Sequence, residues 1–187
     1  MSREKHLKTL FELFRTQGYE GVSLSNISTA TGLGRASLYH HFPGGKAEMV
    51  TATLAYSNRW IEESILPILQ SEEPPLVRFQ QMCDRLSDLY ASGHKPCLLA
   101  ALTTGTSQAA FQDSIQANMR MLTEAIASVL TAADVDPTTS QQRGEDALVS
   151  IQGALIVSKG LKDTRVFQRA IARIPEDLCQ DLPATDP

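Results

Sequence analysis

The polar side chains that could do chemistry are concentrated in one short segment, Arg35-Ala36-Ser37-Leu38-Tyr39-His40-His41. Arginine can donate two parallel hydrogen bonds to the edge of a guanine, and serine, tyrosine and histidine can contact phosphate oxygens or base edges. The adjacent histidines do not suit a metal site, because neighbouring residues of a helix point to different sides and no third ligand is near in the sequence. The segment therefore indicates hydrogen bonding rather than catalysis.

The rest of the sequence carries no catalytic signature. It has no glycine-rich phosphate loop, no nucleophile elbow and no metal-ligand spacing, so we predict neither an enzyme activity nor a cofactor or metal. The three cysteines, Cys83, Cys97 and Cys179, are an odd number at wide spacing, which favours reduced thiols over a disulfide framework. We also expect His6 and His94 to be exposed to solvent.

A first helix is predicted from Leu7, Leu10, Phe11 and Phe14, which fall on one face at helical spacing. Gly18 follows where a left-handed C-terminal cap is needed. The first fifty residues hold six Lys and Arg against four Asp and Glu, although the whole chain has a formal net charge of −4. The basic excess therefore lies in this part of the chain.

Two short helices follow. Ser23 is a suitable N-cap for a helix over about 24–31, and the Gly32-Leu33-Gly34 turn separates it from a second helix over 35–41 with Leu38 directed inward. Helix, glycine turn and helix within about twenty residues form the helix-turn-helix arrangement, whose second helix enters the major groove of DNA. The same polar residues would also suit the solvated face of a short surface helix.

The linear motif separates these alternatives. The stretches 18–27 and 32–42, together with Lys46, closely resemble the signature of the TetR family of transcription regulators over roughly residues 3 to 60. Pro43-Gly44-Gly45 and the later Cys97-Leu98-Leu99 segment resemble the drug-responsive LmrA/YxaF-like subset. The resemblance implies an all-α fold of about nine helices, with an N-terminal three-helix DNA-binding domain and a C-terminal helical domain for ligand binding and dimerisation.

The resemblance also implies ten DNA-contacting residues: Ser23, Ser25, Asn26, Arg35, Ala36, Ser37, Tyr39, His40, His41 and Lys46. Ser23 is expected to contact a phosphate, and Arg35 is expected to read a base directly. Lys46, in the first turn of the next helix, is expected to hold a phosphate together with exposed backbone N–H groups.

Domain boundaries follow from the positions of these motifs. We expect a helix-turn-helix domain over residues 1–47, with its motif at about 23–42, and a ligand-binding and dimerisation domain over 48–174. The second domain begins with a long helix over 47–69, which the resemblance implies transmits ligand binding to the DNA-reading helices. A loose C-terminal tail is expected over 175–187.

Two sets of residues are candidates for the roles of the C-terminal domain. The resemblance implies an apolar pocket for a drug-sized ligand, and large apolar side chains are the candidates to line it, although an ordinary core would use the same residues: Trp60, Phe79, Met82, Cys83, Tyr90, Cys97, Phe111 and Met119. A dimer interface is predicted in residues 143–159 and 163–174, with packing inside one subunit as the alternative: Leu148, Ile151, Gly153, Ala154, Leu155, Phe167 and Ile171.

Together, the motifs and the resemblance predict a cytoplasmic homodimer that binds palindromic double-stranded operator DNA, represses transcription and is released by a small apolar or drug-like inducer. The prediction includes no membrane association, since the chain has no apolar run of the roughly 20 residues that span a bilayer. Two alternatives remain: an activator of the same architecture, and a small-molecule-binding helical protein without operator binding.

Overall fold

The computed structural model describes residues 3–104 and 108–182, and within these ranges the chain forms helices and turns without β-strands. Their bounds are α1 Arg3–Gly21, α2 Leu24–Thr31, α3 Arg35–His41, α4 Gly45–Ser64, α5 Leu66–Leu69, α6 Pro75–Leu89, α7 Leu98–Thr103, α8 Gln108–Ala132, α9 Pro137–Leu161 and α10 Arg165–Leu178. The predicted all-α fold is confirmed. The helix expected over 47–69 is interrupted at Ile65, because Pro67 in the first turn of α5 cannot continue the hydrogen bonding of α4.

The chain forms two compact units. The first lies within Met1–Arg59 and Cys97–Asn118, and the second lies within Trp60–Pro96 and Met119–Pro187. The division differs from the boundary expected after residue 47, since the first unit also takes most of α4, all of α7 and the first part of α8. None of the described helices is both long and apolar enough to span a bilayer.

The core of the first unit is built on α1. The predicted apolar face of this helix is buried, with Leu10 and Phe14 fully enclosed, and α1 packs against both α2 and α7. Gly18 interrupts the helix at a φ of 68°. This contact with α7 explains why a segment from the middle of the chain belongs to the N-terminal unit.

The second unit is organised around α10, which packs against α6 and α9. Phe167 is fully buried, and its backbone N–H donates to the Ser158 hydroxyl at 2.9 Å. Gly144 on α9 lies so close to α8 that a Cβ at this position would be 2.6 Å from the Thr123 carbonyl oxygen. The absence of a side chain at Gly144 therefore permits this close approach of two helices.

The loose tail expected from residue 175 begins later. Pro175 is buried within α10, which continues to Leu178, and the Arg143 guanidinium donates to the carbonyl oxygens of Leu178 and Gln180 at 3.1 and 2.7 Å. The prediction was wrong for these residues, because an apolar face at helical spacing outweighs the effect of one proline. The rest of the expected tail, residues 183–187, lies outside the described residues.

Candidate nucleic-acid interface

The N-terminus of α2 is fixed by a reciprocal capping arrangement. The Ser23 hydroxyl accepts from the backbone N–H of Asn26 at 3.1 Å, and the Asn26 Oδ1 accepts from the Ser23 backbone N–H at 2.9 Å and from the Ser23 hydroxyl at 2.5 Å. This arrangement satisfies backbone donors that a helix end leaves open. Both donors of Ser23 are used inside the cap, while Ser25 is exposed and the Asn26 amide nitrogen has no role in these bonds.

The turn between α2 and α3 is held by local hydrogen bonds. Gly32 ends α2 at a φ of 71°, in the left-handed region where glycine is not strained. The Thr31 hydroxyl donates to the Ile27 carbonyl at 2.7 Å and accepts from the Leu33 N–H at 3.3 Å, and the Ser28 hydroxyl donates to the Leu33 carbonyl at 2.6 Å. These contacts fix the direction in which α3 leaves the turn.

One residue anchors α3 while its other positions remain accessible. Leu38 is 1% exposed, as its predicted inward position requires. Five of the residues expected to meet DNA are exposed on this helix: Arg35, Ala36, Ser37, Tyr39 and His40. The arrangement presents hydrogen-bonding groups on a helix short and narrow enough to enter a groove about 12 Å wide.

Lys46 has a different environment from the one expected. Its Nζ donates to the carbonyl oxygens of Tyr19 and Val22 at 2.9 and 3.0 Å and lies 4.1 Å from the centroid of the Tyr19 ring. The Gly44 N–H donates to the Glu48 carboxylate at 2.6 Å. The ammonium and a neighbouring amide are thus already bonded within the chain, and of the three N–H donors of Lys46 one remains for a phosphate.

Replacing Lys46 by methionine is expected to lower the free energy of unfolding by about 2–3 kcal/mol, because two charge-assisted hydrogen bonds to carbonyl oxygens are lost. Chemical denaturation monitored by circular dichroism measures the loss. Lys8→Met is the matched control, since Lys8 is exposed on α1, and it should change stability by less than about 0.5 kcal/mol. Equal effects of the two variants would contradict a structural role for Lys46.

His6 is buried, at 3% exposure, so the expectation that it faces solvent was wrong. It lies four residues before Leu10 and therefore shares the apolar face of α1. Its ring is 5.7 Å from that of His41 on α3, and the His41 ring is 5.7 Å from that of His40. Burial, followed by the charge of His41, lowers the pKa of His6 below its usual value of 6.5.

Stability is expected to fall as the pH drops below about 6.5, because the unfolded chain then binds a proton that His6 in the folded chain resists. One such proton contributes at most about 1.4 kcal/mol per pH unit. Denaturation curves at pH 7.5 and 5.5 should show a smaller loss for His6→Gln than for the natural sequence. His94→Gln is the control, since His94 is exposed, and should leave the pH dependence unchanged.

The three histidines near α3 do not make a metal centre. Among the described residues, no three His, Cys, Asp or Glu side chains are grouped so that they could hold a metal ion. Burial and then the charge of Asp84 raise the pKa of Cys83 to about 12, so this thiol stays protonated. The three cysteines are free thiols.

The eight pocket candidates are divided between the two units. Cys97 and Phe111 belong to the first unit, where the Phe111 ring lies 5.2 Å from the Tyr19 ring. The remaining six belong to the second unit: Trp60, Phe79, Met82, Cys83, Tyr90 and Met119. Phe79, Met82 and Cys83 lie on the buried face of α6, and Tyr90 meets Phe167 edge to face at 5.9 Å, so these side chains share a core with α10.

Five of the seven candidates for the dimer interface are buried in their own subunit. Their exposed fractions are between 0% and 7%, so they have no surface to offer a partner, and their assignment to the interface was wrong: Ile151, Ala154, Leu155, Phe167 and Ile171. Leu148 is half-buried and Gly153 is exposed. Gly153 therefore remains available for an interface.

The opposite side of α9 carries an exposed apolar stripe that the sequence prediction missed. Its large members have exposed fractions between 45% and 68%: Val149, Ile156, Val157 and Leu161. Gly153 and Gly160 fall on the same side, and a Cβ at either position would meet no atom within 4 Å. The sequence did carry a signal for this stripe, because α9 has apolar residues on two faces. A helix that buries one face in its own subunit needs apolar residues on that face only.

Comparisons with known proteins agree with this geometry. The family model of bacterial regulatory proteins of the TetR family matches residues 7–53, and the model of the LmrA/YxaF-like transcriptional regulator C-terminal domain matches residues 75–173. The uncharacterized HTH-type transcriptional regulator YxaF of Bacillus subtilis is 35% identical over 79 residues, which cover 42% of this chain and 41% of that protein. The matched region thus spans less than half of this relative.

Two solved structures share the fold of nearly the whole chain. A TetR transcriptional regulator from Legionella pneumophila has a TM-score of 0.84 at 20% identity, covering 94% of this chain and 96% of its own. The TetR-family regulator CifR, solved as a cysteine mutant with 26-base-pair double-strand operator DNA, has a TM-score of 0.76 at 20% identity and 97% coverage of both chains. With its helix-turn-helix unit and its LmrA/YxaF-like C-terminal region, the chain is a transcriptional regulator of the TetR family.

Proposed function

We propose that this regulator is a dimeric repressor that binds palindromic operator DNA through α2 and α3 and is released by a small apolar or drug-like molecule. The observation that carries the proposal is the exposed polar face of α3 on a helix anchored by buried Leu38. A dimer seated on an operator blocks polymerase without needing a further contact surface. Repression therefore requires less of the protein than activation does.

Direct base reading is assigned to Arg35 at the start of α3, because a guanidinium can bond both acceptors of a guanine. Ser37, Tyr39 and His40 are exposed on the same helix and can meet phosphates or base edges. His41 flanks them. Lys46 contacts a phosphate through its remaining N–H donor, and Ala36 permits close approach to the bases.

Positioning on the backbone is assigned to the start of α2. Ser25 and the Asn26 amide nitrogen are the donors available there, because the backbone N–H and the hydroxyl of Ser23 both donate to Asn26 Oδ1 within the cap. Ser23 then acts by fixing the helix end that offers its backbone N–H groups to a phosphate.

The dimer is proposed to form through the apolar stripe of α9, with Gly153 and Gly160 allowing two copies of the helix to approach closely. A stripe of large apolar side chains on an otherwise polar surface favours burial against a partner. Homodimers with two-fold symmetry are the commonest assembly and bring the same patch of two subunits together. Two DNA-reading units in such a dimer read two half-sites, as a palindrome requires.

The apolar side chains of α6 in the second unit, Phe79, Met82 and Cys83, are proposed to line the inducer pocket together with Tyr90. Methionine adapts to ligands of different shape because its side chain is unbranched and polarizable. Trp60 and Met119, which belong to the same unit, are the further lining candidates.

Selection of DNA fragments from a random library, followed by footprinting, tests the proposal. We expect retained fragments to converge on two inverted half-sites, one footprint per dimer, and retention to fall when the inducer is added from a panel of drug-like compounds. Monomeric protein that retains random duplex as well as any selected sequence at low ionic strength would refute operator binding.

A further inference from the structure

Two buried carboxamide oxygens in the first unit accept no hydrogen bond from any described residue. Asn118 on α8 is 1% exposed, and its amide nitrogen donates to the carbonyl oxygens of Ser114 at 2.9 Å and Leu54 at 3.4 Å. Its Oδ1 is buried without a donor. One half of this side chain is therefore fixed while the other half presents an unused acceptor.

The second oxygen is the Oδ1 of Asn58 on α4, which is also buried without a donor although the residue as a whole is half-buried. In a helix the backbone N–H of residue 58 donates to the carbonyl of residue 54. The Asn118 amide reaches the same Leu54 carbonyl, so the two carboxamides lie on adjoining turns of α4 and α8 within one unit. The two residues are therefore neighbours.

Asn58 and Asn118 both lie on helix faces that are otherwise apolar. Asn58 is four residues after buried Leu54, and Asn118 is three residues after buried Ile115, so each amide interrupts the apolar face of its helix. A buried acceptor without a donor costs about as much as a lost hydrogen bond, and folded proteins rarely keep one without a partner. Two neighbouring examples point to a ligand that supplies the donor.

The surroundings select a neutral ligand. No Asp or Glu occurs among the buried side chains of the described residues, and Arg15 in the same unit is a buried cation. A cationic ligand would lose its hydration without meeting an opposite charge, which is strongly unfavourable. A hydroxyl or amide N–H attached to an apolar body supplies the missing donor without that cost.

We propose that Asn58 and Asn118 form the polar end of an effector site for neutral, largely apolar molecules carrying an O–H or N–H donor. The inference rests on the proposed ligand response and adds a second site, within the first unit, to the pocket proposed on α6. A molecule bound here contacts α4, the helix that begins four residues after α3 ends.

A matched pair of probes tests the site: 2-naphthol, which has a hydroxyl donor, and 2-methoxynaphthalene, which has none. Titration followed by the fluorescence of the probe should show that the natural protein binds 2-naphthol about 5- to 10-fold more tightly, the value of one net hydrogen bond. Asn58→Leu and Asn118→Leu should each reduce the ratio of the affinities for the two probes to about 1. Gln116→Leu, which removes an exposed carboxamide from α8, should preserve it.

The free proteins supply a second measurement. Asn58→Leu should raise the midpoint of thermal unfolding, because an unpartnered acceptor is replaced by an apolar group of similar size. A lower midpoint would mean that the two carboxamides bond each other, and it would overturn the proposal. Equal binding of the two probes, or binding of neither, would overturn it as well.

Operator release measured in parallel separates this inference from the proposed function. If 2-naphthol binds with the expected preference and the operator stays bound, the site stands and ligand-controlled release fails for this compound class. If other compounds release the operator while the naphthalene pair is not distinguished, the repressor proposal stands and the site proposal fails.

Discussion

Glutamate in place of Ile156 is expected to convert the protein into a folded monomer with little affinity for operator DNA. Ile156 is 63% exposed in the single chain and lies in the middle of the α9 stripe, so the change removes no core contact. In a symmetric pair it would place a charge from each subunit in one apolar interface. Like charges so placed cost several kcal/mol, and about 3 kcal/mol corresponds to a 100-fold weaker dimer.

Sedimentation equilibrium and operator titration measure the two consequences, and thermal unfolding shows whether the subunit stays intact. Gln80→Glu is the control, since it adds the same charge at an exposed position of α6 in the same unit. It should leave the assembly and operator affinity unchanged. A dimer of undiminished stability in Ile156→Glu would exclude the α9 stripe as the interface.

Removal of the Arg35 side chain is expected to weaken operator binding by about 1–3 kcal/mol, or roughly 5- to 150-fold per half-site. Arg35 is exposed at the first position of α3, where a recognition helix meets base edges. Because the proposed contact is to a base, the loss should be larger on the operator than on random duplex. Base choice at one position of each half-site should relax.

Competition titrations with operator and random duplex at one salt concentration measure this difference. Arg85→Ala removes the same charge from an exposed position of α6, in the other unit, and should change the two affinities little. Equal losses of Arg35→Ala on operator and random DNA would reassign Arg35 to the phosphate backbone.

The helix-turn-helix could be predicted from the sequence because its determinants are local. Ser23 and Asn26 cap α2, Gly32 adopts a positive φ directly after it, and Leu38 is the one inward position of α3. Each of these signals acts within four residues of the feature that it determines. The predicted bounds of α2 and α3 accordingly match those of the structure.

Features that depend on how the helices pack against one another could not be predicted from such local signals. Ile151 and Val149 are both apolar residues of α9, and the sequence alone does not show which of them is buried. In the structure Ile151 faces its own subunit, whereas Val149 is 68% exposed. The run of apolar residues in α7 indicates burial without indicating that α1 covers it. The division into units and the burial of five interface candidates differ from the expectation for this reason.

Polar residues on apolar faces are the signal that the sequence offered and the prediction did not use. His6 shares a face with Leu10, Asn58 with Leu54 and Asn118 with Ile115, and all three have buried polar atoms. A polar residue at such a position is either satisfied by a neighbour or available to a ligand. The sequence does not decide between these outcomes, because the neighbour comes from another helix.

The bonds of Lys46 have a mechanical consequence. Its ammonium ties the first turn of α4 to the carbonyl oxygens of Tyr19 and Val22, at the junction of α1 and α2, while Gly45 follows α3 by only a few residues. Sliding α4 along its axis would stretch two bonds of about 3 Å at once. A shift of α4 is therefore expected to move α3 with it, so that the recognition helix changes its position relative to the DNA.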